Sequence, residues 1–420
     1  MIPFITALLL LSLLIWLFLI LAWGQFWRCD QQLPAALDPN PFGTNPAPPI
    51  AVVIPARNEA EGIGTCVTSL LTQDYPGSVQ IIVVDDQSED GTAAVAQSAA
   101  QALGHSDSNP SSPGTMGTDR SGAPAIDRLT ILPGQPLAPG WTGKLWALEQ
   151  GTRYAQRLDP QPQYLLLTDA DIAHDRHNLS QLVTKAETKG LDLASLMVQL
   201  RCTSPWEKFL IPAFVYFFQQ LYPFPWVNNP KRKMAAAAGG CVLLRSTALA
   251  RIGGIGVLRD ALIDDCTLAA QVKGTLQPNN RPFAPIWLGL GPATQSLRAY
   301  DTLESIWTMV ARTAYTQLQY SPLLLAGTVI GMVLVYLMAP IGLLAGIFSF
   351  NISFIALGAV IWLLMAFSYW PTVRLYRISP FYSLALPGIG LLYTLMTIDS
   401  ARRHWQGKGG AWKGRVYPQG

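Results

Sequence analysis

Three short acidic groups have the types and spacing to do chemistry. Asp85-Asp86 follows the apolar run Ile81–Val84, and Asp169-Ala170-Asp171 follows Tyr164–Thr168. Asp264-Asp265 opens a helical pattern over Cys266–Val272. In a parallel sheet, ligands bind beyond the carboxyl ends of the strands. Alternate side chains near a strand end can reach one hard cation together, or one can bind it while the other meets the ligand. Magnesium takes few carboxylates and fills its shell with phosphate oxygens and water. An Asp-x-Asp pair at such an end therefore suits a metal-bound diphosphate, whose charge the metal neutralises as it leaves. A lone acid after a strand also serves as a helix cap or turn, and Asp-x-Asp recurs by chance. Two such ends in one sheet favour a site. Asp264-Asp265 has two readings. One is an N-cap with a first-turn acid, stabilised by the helix dipole. The other makes Asp265 a general base for an incoming hydroxyl.

Basic groups and glycines complete the set. Lys144, in Gly140-Trp141-Thr142-Gly143-Lys144, precedes a helical stretch. It either meets a phosphate or a ligand carboxylate, or it is a snorkelling surface lysine. Arg57 closes the first strand in Pro55-Ala56-Arg57-Asn58-Glu59. Gly239-Gly240 lets a backbone approach a ligand closely. His174 and His177 follow the Asp-x-Asp at i, i+3. No matching Cys or Glu set accompanies them, so they read as surface histidines.

The elements that must position these groups lie between about 48 and 300. Ile50–Ile54, Ile81–Val84, Leu129–Leu132 and Tyr164–Thr168 read as buried strands. Ile63, Val67, Leu70 and Leu71 recur at helical spacing, and an Ala-rich helix covers Thr92 to Leu103. Such alternation implies an α/β fold with a mostly parallel sheet covered on both faces. The Ser-, Gly-, Pro- and Asp-rich run over 104–125 cannot build a core and reads as a flexible insertion. Leu210–Phe224, broken by Pro212 and Pro223, reads as a membrane-surface helix. Over 301–320, Leu303, Ile306, Trp307, Val310 and Ala314 share one helical face with Arg312 opposite. This reads as an interfacial amphipathic helix that turns Arg312 toward the protein.

The chain of 420 residues has room for roughly two or three domains. It is 50% hydrophobic and only 13% charged, against about 25% charged in a typical soluble domain. That balance excludes a disordered protein and argues against a wholly soluble one. A net charge of +3 without a basic stripe gives no nucleic-acid partner. Five scattered cysteines (Cys29, Cys66, Cys202, Cys241 and Cys266) make neither a zinc site nor a disulfide framework, and fit a reducing compartment. The run from Ile2 to Trp23, within 1–24, precedes the first charge, Arg28, and reads as an uncleaved transmembrane anchor. No charge occurs from Thr313 to Val373. Within 321–398, Leu323–Phe350 and Ile352–Trp370 each span, with a turn near Asn351. Phe381–Ile398 is interrupted by Pro387, Gly388 and Gly390. Arg374 and Arg377 and the basic tail over 399–420 both favour the cytoplasm. A full crossing by Phe381–Ile398 would separate them, which favours a dipping or tightly packed segment.

The ordered set Pro55-Ala56-Arg57-Asn58-Glu59, Val83-Val84-Asp85-Asp86-Gln87-Ser88-Glu89-Asp90-Gly91, Asp169-Ala170-Asp171 and Asp264-Asp265 resembles the family 2 glycosyltransferases over about 48–320. The likeness is nearest to the membrane-bound hopene-associated enzymes and more distant to ceramide glucosyltransferases. The resemblance implies a GT-A fold, a nucleotide-sugar donor (a UDP-sugar before others), a divalent cation (Mg2+ or Mn2+) and inversion at the anomeric carbon. It implies donor contacts from Pro55, Arg57, Glu59, Asp85, Asp86, Lys144, Asp169 and Arg312, with Asp85 and Asp86 at the nucleoside. Asp169 and Asp171 serve the diphosphate and metal, Asp171 as the preferred direct ligand, and Asp265 is the base. The expectation is a hexosyl-type transfer to a membrane lipid, by resemblance a hopanoid, from an inner-membrane protein with its catalytic domain cytoplasmic. Two departures matter. Gln87 replaces the Gly of the usual Asp-Asp-Gly-Ser. Of the related Gln-x-x-Arg-Trp only Arg312 remains, in Met309-Val310-Ala311-Arg312-Thr313. The missing Trp weakens the rival reading of a processive polysaccharide synthase. The intact acidic set argues against a non-enzymatic membrane scaffold.

Overall fold

The computed structural model describes residues 2–33, 42, 46–106, 124–259, 261, 263–275, 283–407, 411–412 and 415–416. Most of the insertion expected at 104–125, and Lys408 and Lys413 of the basic tail, lie outside the described residues.

In chain order the elements begin with α1 (Ile2–Leu21), β1 (Ile50–Ala56), α2 (Ala60–Leu71), β2 (Val79–Asp85), α3 (Thr92–Ser106), β3 (Leu129–Pro133) and α4 (Gly143–Ala155). Then come β4 (Tyr164–Thr168), β5 (Ile172–Ala173), α5 (Asn178–Lys189), β6 (Leu193–Gln199), α6 (Pro205–Leu221) and α7 (Phe224–Val227). β7 (Cys241–Arg245), α8 (Ser246–Ile252), α9 (Asp264–Gly274), β8 (Ile286–Ser296) and α10 (Leu303–Gln317) close the α/β domain. α11 (Pro322–Met332), α12 (Met338–Ser349), α13 (Ile352–Leu375) and α14 (Leu386–Trp405) follow.

The sheet order is β3-β2-β1-β4-β7-β6-β8-β5. β1 is buried along its whole length, as its unbroken apolar sequence requires. Its side chains alternate between two cores: Ile50, Val52 and Ile54 face α2, α3 and α5, while Ala51 and Val53 face α4 and the cluster continuous with the membrane helices. The expectation of a mostly parallel sheet holds for β3-β2-β1-β4 and for β6 beside β8. It fails at β7, antiparallel to both β4 and β6, and at β5, antiparallel to β8. The reason is the route of the chain. It leaves β6 at its carboxyl end, runs through α6 and α7, and re-enters the sheet at that same end. Gly239-Gly240 therefore arrives beside the ends of β1 and β4.

Four stretches are long and apolar enough to cross a membrane: Ile2–Leu21, Pro322–Ser349, Ile352–Leu375 and Pro380–Trp405. Asn351 caps α13 by accepting from the Ser353 and Phe354 amides, which makes the expected turn. Pro387 does not break the last helix, because it sits in the first turn, where no backbone N–H is needed. Gly390 lies so close to Tyr336 that a Cβ would fall 2.8 Å from its side chain. Both ends of this last segment meet the α/β domain. The chain that leads into it, at Leu375 and Tyr376 where α13 closes, lies against β6 and β8, and near its far end Asp399 meets Trp307 of α10. Between them, Trp362 donates to the Leu384 carbonyl, about 20 Å along α13 from Leu375. α6 differs from the expected membrane-surface helix. Leu210, Ile211, Ala213, Val215 and Tyr216 are buried, Tyr216 bonds to Ser368 of α13, and Tyr393 of α14 bonds to the Leu210 carbonyl. It is packed between domain and membrane helices because both of its faces are apolar.

Gly151 lets α4 approach the sheet. A Cβ there would lie 2.3 Å from Val53 and 3.0 Å from Val84. Gly151→Val is expected to destabilise the protein by about 1–3 kcal/mol through overpacking, read as a lower midpoint in chemical unfolding of the detergent-solubilised protein.

Candidate active site

Each element at the carboxyl edge of the sheet delivers one group. Glu59 precedes α2, Asp169 and Asp171 follow β4, and Gly239-Gly240 leads into β7. The first turn of α4 carries Lys144 and that of α9 carries Asp264 and Asp265. Arg298 and Tyr300 follow β8, and Arg312 lies on α10. These groups line one cleft of about 420 Å³, with Phe214 and Phe218 of α6 on its apolar side.

Lys144 sits between carboxylates. Its Nζ is 2.9 Å from Asp169 Oδ1 and 3.4 Å from Asp264 Oδ2. Burial alone would lower its pKa, but Asp169 and Asp264 hold it above the ordinary lysine value. It is not a surface lysine. Asp265 Oδ2 accepts from the Gly239 amide at 2.8 Å, and Oδ1 from the Cys266 amide at 2.7 Å. Burial and the Asp264 charge push its pKa up to about 6, against the pull of Lys144 and these two amides. A carboxylate tuned this way is ionised near neutrality and still basic enough to take a proton.

Asp171 has a different partner. Arg298 Nε donates to Asp171 Oδ2 at 2.6 Å, and Arg298 Nη2 donates to Glu59 Oε1 at 2.7 Å. Burial and Asp169 raise the Asp171 pKa, and Arg298 opposes them. The strand tail that holds Arg298 is anchored through Glu207. That carboxylate is fully buried and accepts from the Tyr300 amide and from Arg201. Burial works against its charge, yet the Tyr300, Ser204 and Thr203 amides bring its pKa down to about 2.

Among the described residues, no cluster of three or more His, Cys, Asp or Glu side chains forms a ready metal cage. Asp169 and Asp171 still offer the small set of hard oxygens that magnesium or manganese uses beside phosphate. The cleft sets five carboxylates against three cationic side chains, so a divalent cation fits its charge.

A family model described as glycosyltransferase like family 2 matches residues 47–274, more than half of the chain. The chain belongs to this family. An N-acetylglucosaminyltransferase of Rhizobium leguminosarum bv. viciae is 47% identical over 60 residues, 14% of each chain. Glycosyltransferase AglE of Haloferax volcanii is 42% identical over 55 residues, 13% of this chain and 18% of the relative. The chain thus spans under a fifth of the length of these curated relatives. The solved structure of the mannosyltransferase PcManGT from Pyrobaculum calidifontis, in complex with GDP-Man and Mn2+, has the same fold. It aligns with a TM-score of 0.50 at 17% identity, over 96% of this chain and 99% of its own. The shared fold therefore takes in the flanking helices as well as the family 2 domain.

The structure gathers Pro55, Glu59, Lys144, Asp169, Asp171 and Asp265 of this family 2 domain, with Arg312 of α10 beyond it, into the cleft. Asp85, Asp86 and Arg57 do not line it. β2 lies two strands from β4, about 10 Å along the same edge. Asp86 is buried, and Arg57 Nη1 donates to its carbonyl at 2.6 Å. Asp85 accepts from the Ser88 amide. Gln87 takes a positive φ of 56°, the conformation for which glycine is favoured. The reading of His174 as a surface residue is corrected. It is buried beneath the Asp-x-Asp, bonded to Thr168 Oγ1 and Asn178, and Thr168 in turn donates to the Gly240 carbonyl. Burial lowers its pKa to about 3, so it stays neutral. His177 is half exposed and pairs with Asp74. Arg298, Tyr300 and Glu207 were not evident from sequence. Arg298 and Tyr300 follow a glycine-interrupted strand and carry no spacing that marks them, whereas Glu207 stands third after Ser204 in a capping box that sequence could have shown.

Arg298→Met leaves Asp171 and Glu59 without their shared cation. Its absence raises the Asp171 pKa further, and protonation on acidification relieves the repulsion. The melting temperature is expected to fall below wild type at pH 8, with the gap narrowing toward pH 5, as scanning calorimetry or fluorimetry will show.

Proposed function

We propose that this family 2 protein is an inverting glycosyltransferase that moves a sugar from a nucleotide-sugar donor to a membrane lipid. The observation that carries the reading is Asp265, raised to about 6, in the same cleft as Asp169 and Asp171, beside a Lys144 that pairs with Asp169 and with its neighbour Asp264. An acceptor hydroxyl attacks the sugar C1, the bond from C1 to the diphosphate oxygen breaks, and Asp265 takes the hydroxyl proton. Attack from the face opposite the leaving group inverts the anomeric carbon. Asp169 and Asp171 would hold a Mg2+ or Mn2+ ion, which supplies charge stabilisation for the departing diphosphate. Lys144 and Arg312 add fixed positive charge on the same side of the reaction. Asp85 and Asp86, two strands away on the same sheet edge, are the residues this reading gives to the nucleoside. GDP-Man and Mn2+ in the mannosyltransferase of like fold support a nucleotide-sugar donor and a divalent cation.

The lipid acceptor is supported by α6. Its Phe214 and Phe218 line the cleft while its other residues pack on α13 and α14. Phe214 and Phe218 would give an apolar acceptor a surface to lie against beside Asp265. A hopanoid or similar polycyclic lipid is the acceptor that the sequence resemblance favours, and a UDP-sugar is the donor. Arg374, Arg377, Arg402 and Arg403 favour a cytoplasmic catalytic domain by the positive-inside rule. Thr313, where related polymerising enzymes have Trp, favours the addition of one sugar.

Purified protein with labelled nucleotide sugars, lipid extract and Mg2+ or Mn2+ tests this. Wild-type kcat/KM is expected to fall as pH drops through about 6, because protonated Asp265 cannot accept the proton. Asp265→Asn is expected to lose roughly 10²- to 10⁴-fold in kcat while still binding donor. Undiminished transfer by Asp265→Asn removes the base from the mechanism.

A further inference from the structure

α10 presents Arg312 at the cleft, and α14 holds α10 in place. Trp307 Nε1 donates to Asp399 Oδ2 at 2.8 Å, and Arg403 Nε donates to the same oxygen at 2.7 Å. The next residue, Ser400, meets α10 one turn further along: its Oγ donates to the Ala311 carbonyl at 2.5 Å and accepts from the Tyr315 amide at 3.0 Å. Residues 311 and 315 are the two ends of one i, i+4 rung of the helix. The hydroxyl therefore bridges the rung that brackets Arg312 and Thr313. Ser400 is 4% exposed, so water has little access to take its place. Tyr315 beside it is buried against Leu325 and Ala401 and edges onto His404. A side chain inserted into the i, i+4 ladder is a recognised cause of helix bending. Here that device sits where α10 must aim a guanidinium.

We infer that Ser400 is a positioning residue for donor binding: by bridging Ala311 and Tyr315 it sets the direction in which α10 points Arg312. The inference rests on the reading of Arg312 as a diphosphate contact. It also places control of that contact in the last membrane segment. This segment leaves the domain at Tyr376, turns near Leu384 against Trp362, and returns through α14 to Asp399 and Ser400. Both ends of this route, at Tyr376 and at Asp399, therefore meet the α/β domain. Packing around α14 is thereby transmitted to the charge that meets the donor.

The test is a double-mutant cycle on the full-length protein in phospholipid nanodiscs, with donor KM and kcat read separately. Ser400→Ala is expected to raise donor KM roughly three- to tenfold and change kcat less than twofold. Ser400→Thr, which keeps the hydroxyl, is expected to restore donor KM. In the Arg312→Ala background, Ser400→Ala is expected to add nothing. Independent, multiplying effects of the two substitutions overturn the positioning role, as does an unchanged KM in Ser400→Ala. If Arg312→Ala itself binds donor normally, the diphosphate reading beneath the inference falls instead. Should Ser400→Ala not yield folded protein, Ser400→Cys, with a weaker hydrogen-bonding group, takes its place in the cycle.

Discussion

Carboxylates do not gather in one cleft unless something holds them there. Two like charges 4 Å apart near a protein surface repel by on the order of 4 kcal/mol, and this cleft collects five. Two cations make the arrangement tolerable. Lys144 bridges Asp169 and Asp264, and Arg298 bridges Asp171 and Glu59. Each comes from a different part of the chain from the acids it joins. The pairs therefore cross-link the ends of β4, α4 and α9 on one side, and those of β4, α2 and β8 on the other. The remaining negative charge suits a divalent cation, and the Asp264 charge adds to burial in raising the pKa of Asp265.

The parallel half of the domain was legible because its strands are continuous apolar runs, each closed by a polar turn. Ile50–Ile54 and Tyr164–Thr168 could be read from their short length and the polar turns that flank them. The antiparallel entry of β7 could not. Its sequence, Cys241–Arg245, is as apolar as β4, and direction depends on where α6 and α7 leave the chain. That depends on contacts far apart in the chain, such as Tyr216 with Ser368 and Leu210 with Tyr393, which no local pattern records. α10 was legible for the opposite reason. Its buried face, including Ile306 and Val310, follows helical spacing, and Thr302 caps it.

Within the site, sequence was informative where one residue type does one job. Asp-x-Asp after a strand and Asp-Asp at a helix start are local arrangements, and both lie in the cleft. Arg298 and Glu207 are not local. Each matters through partners far along the chain, such as Glu59 for Arg298 and Tyr300 for Glu207. His174 failed as a surface residue because burial depends on the loop folding back over Thr168, a contact that polarity of sequence does not encode.

The membrane segments are more than an anchor in this arrangement. Leu210 of α6 accepts from Tyr393 of α14, and Tyr216 bonds to Ser368 of α13, so the helix that lines the apolar side of the cleft is fixed from within the membrane bundle. α10, on the charged side, is fixed by Trp307 and Asp399 and by the Ser400 bridge. Buried hydrogen bonds of this kind are costly to leave half made, because the abandoned partner stays desolvated. The two walls of the cleft thus share a support in α14. α14 therefore touches both the aromatic side and the Arg312 side.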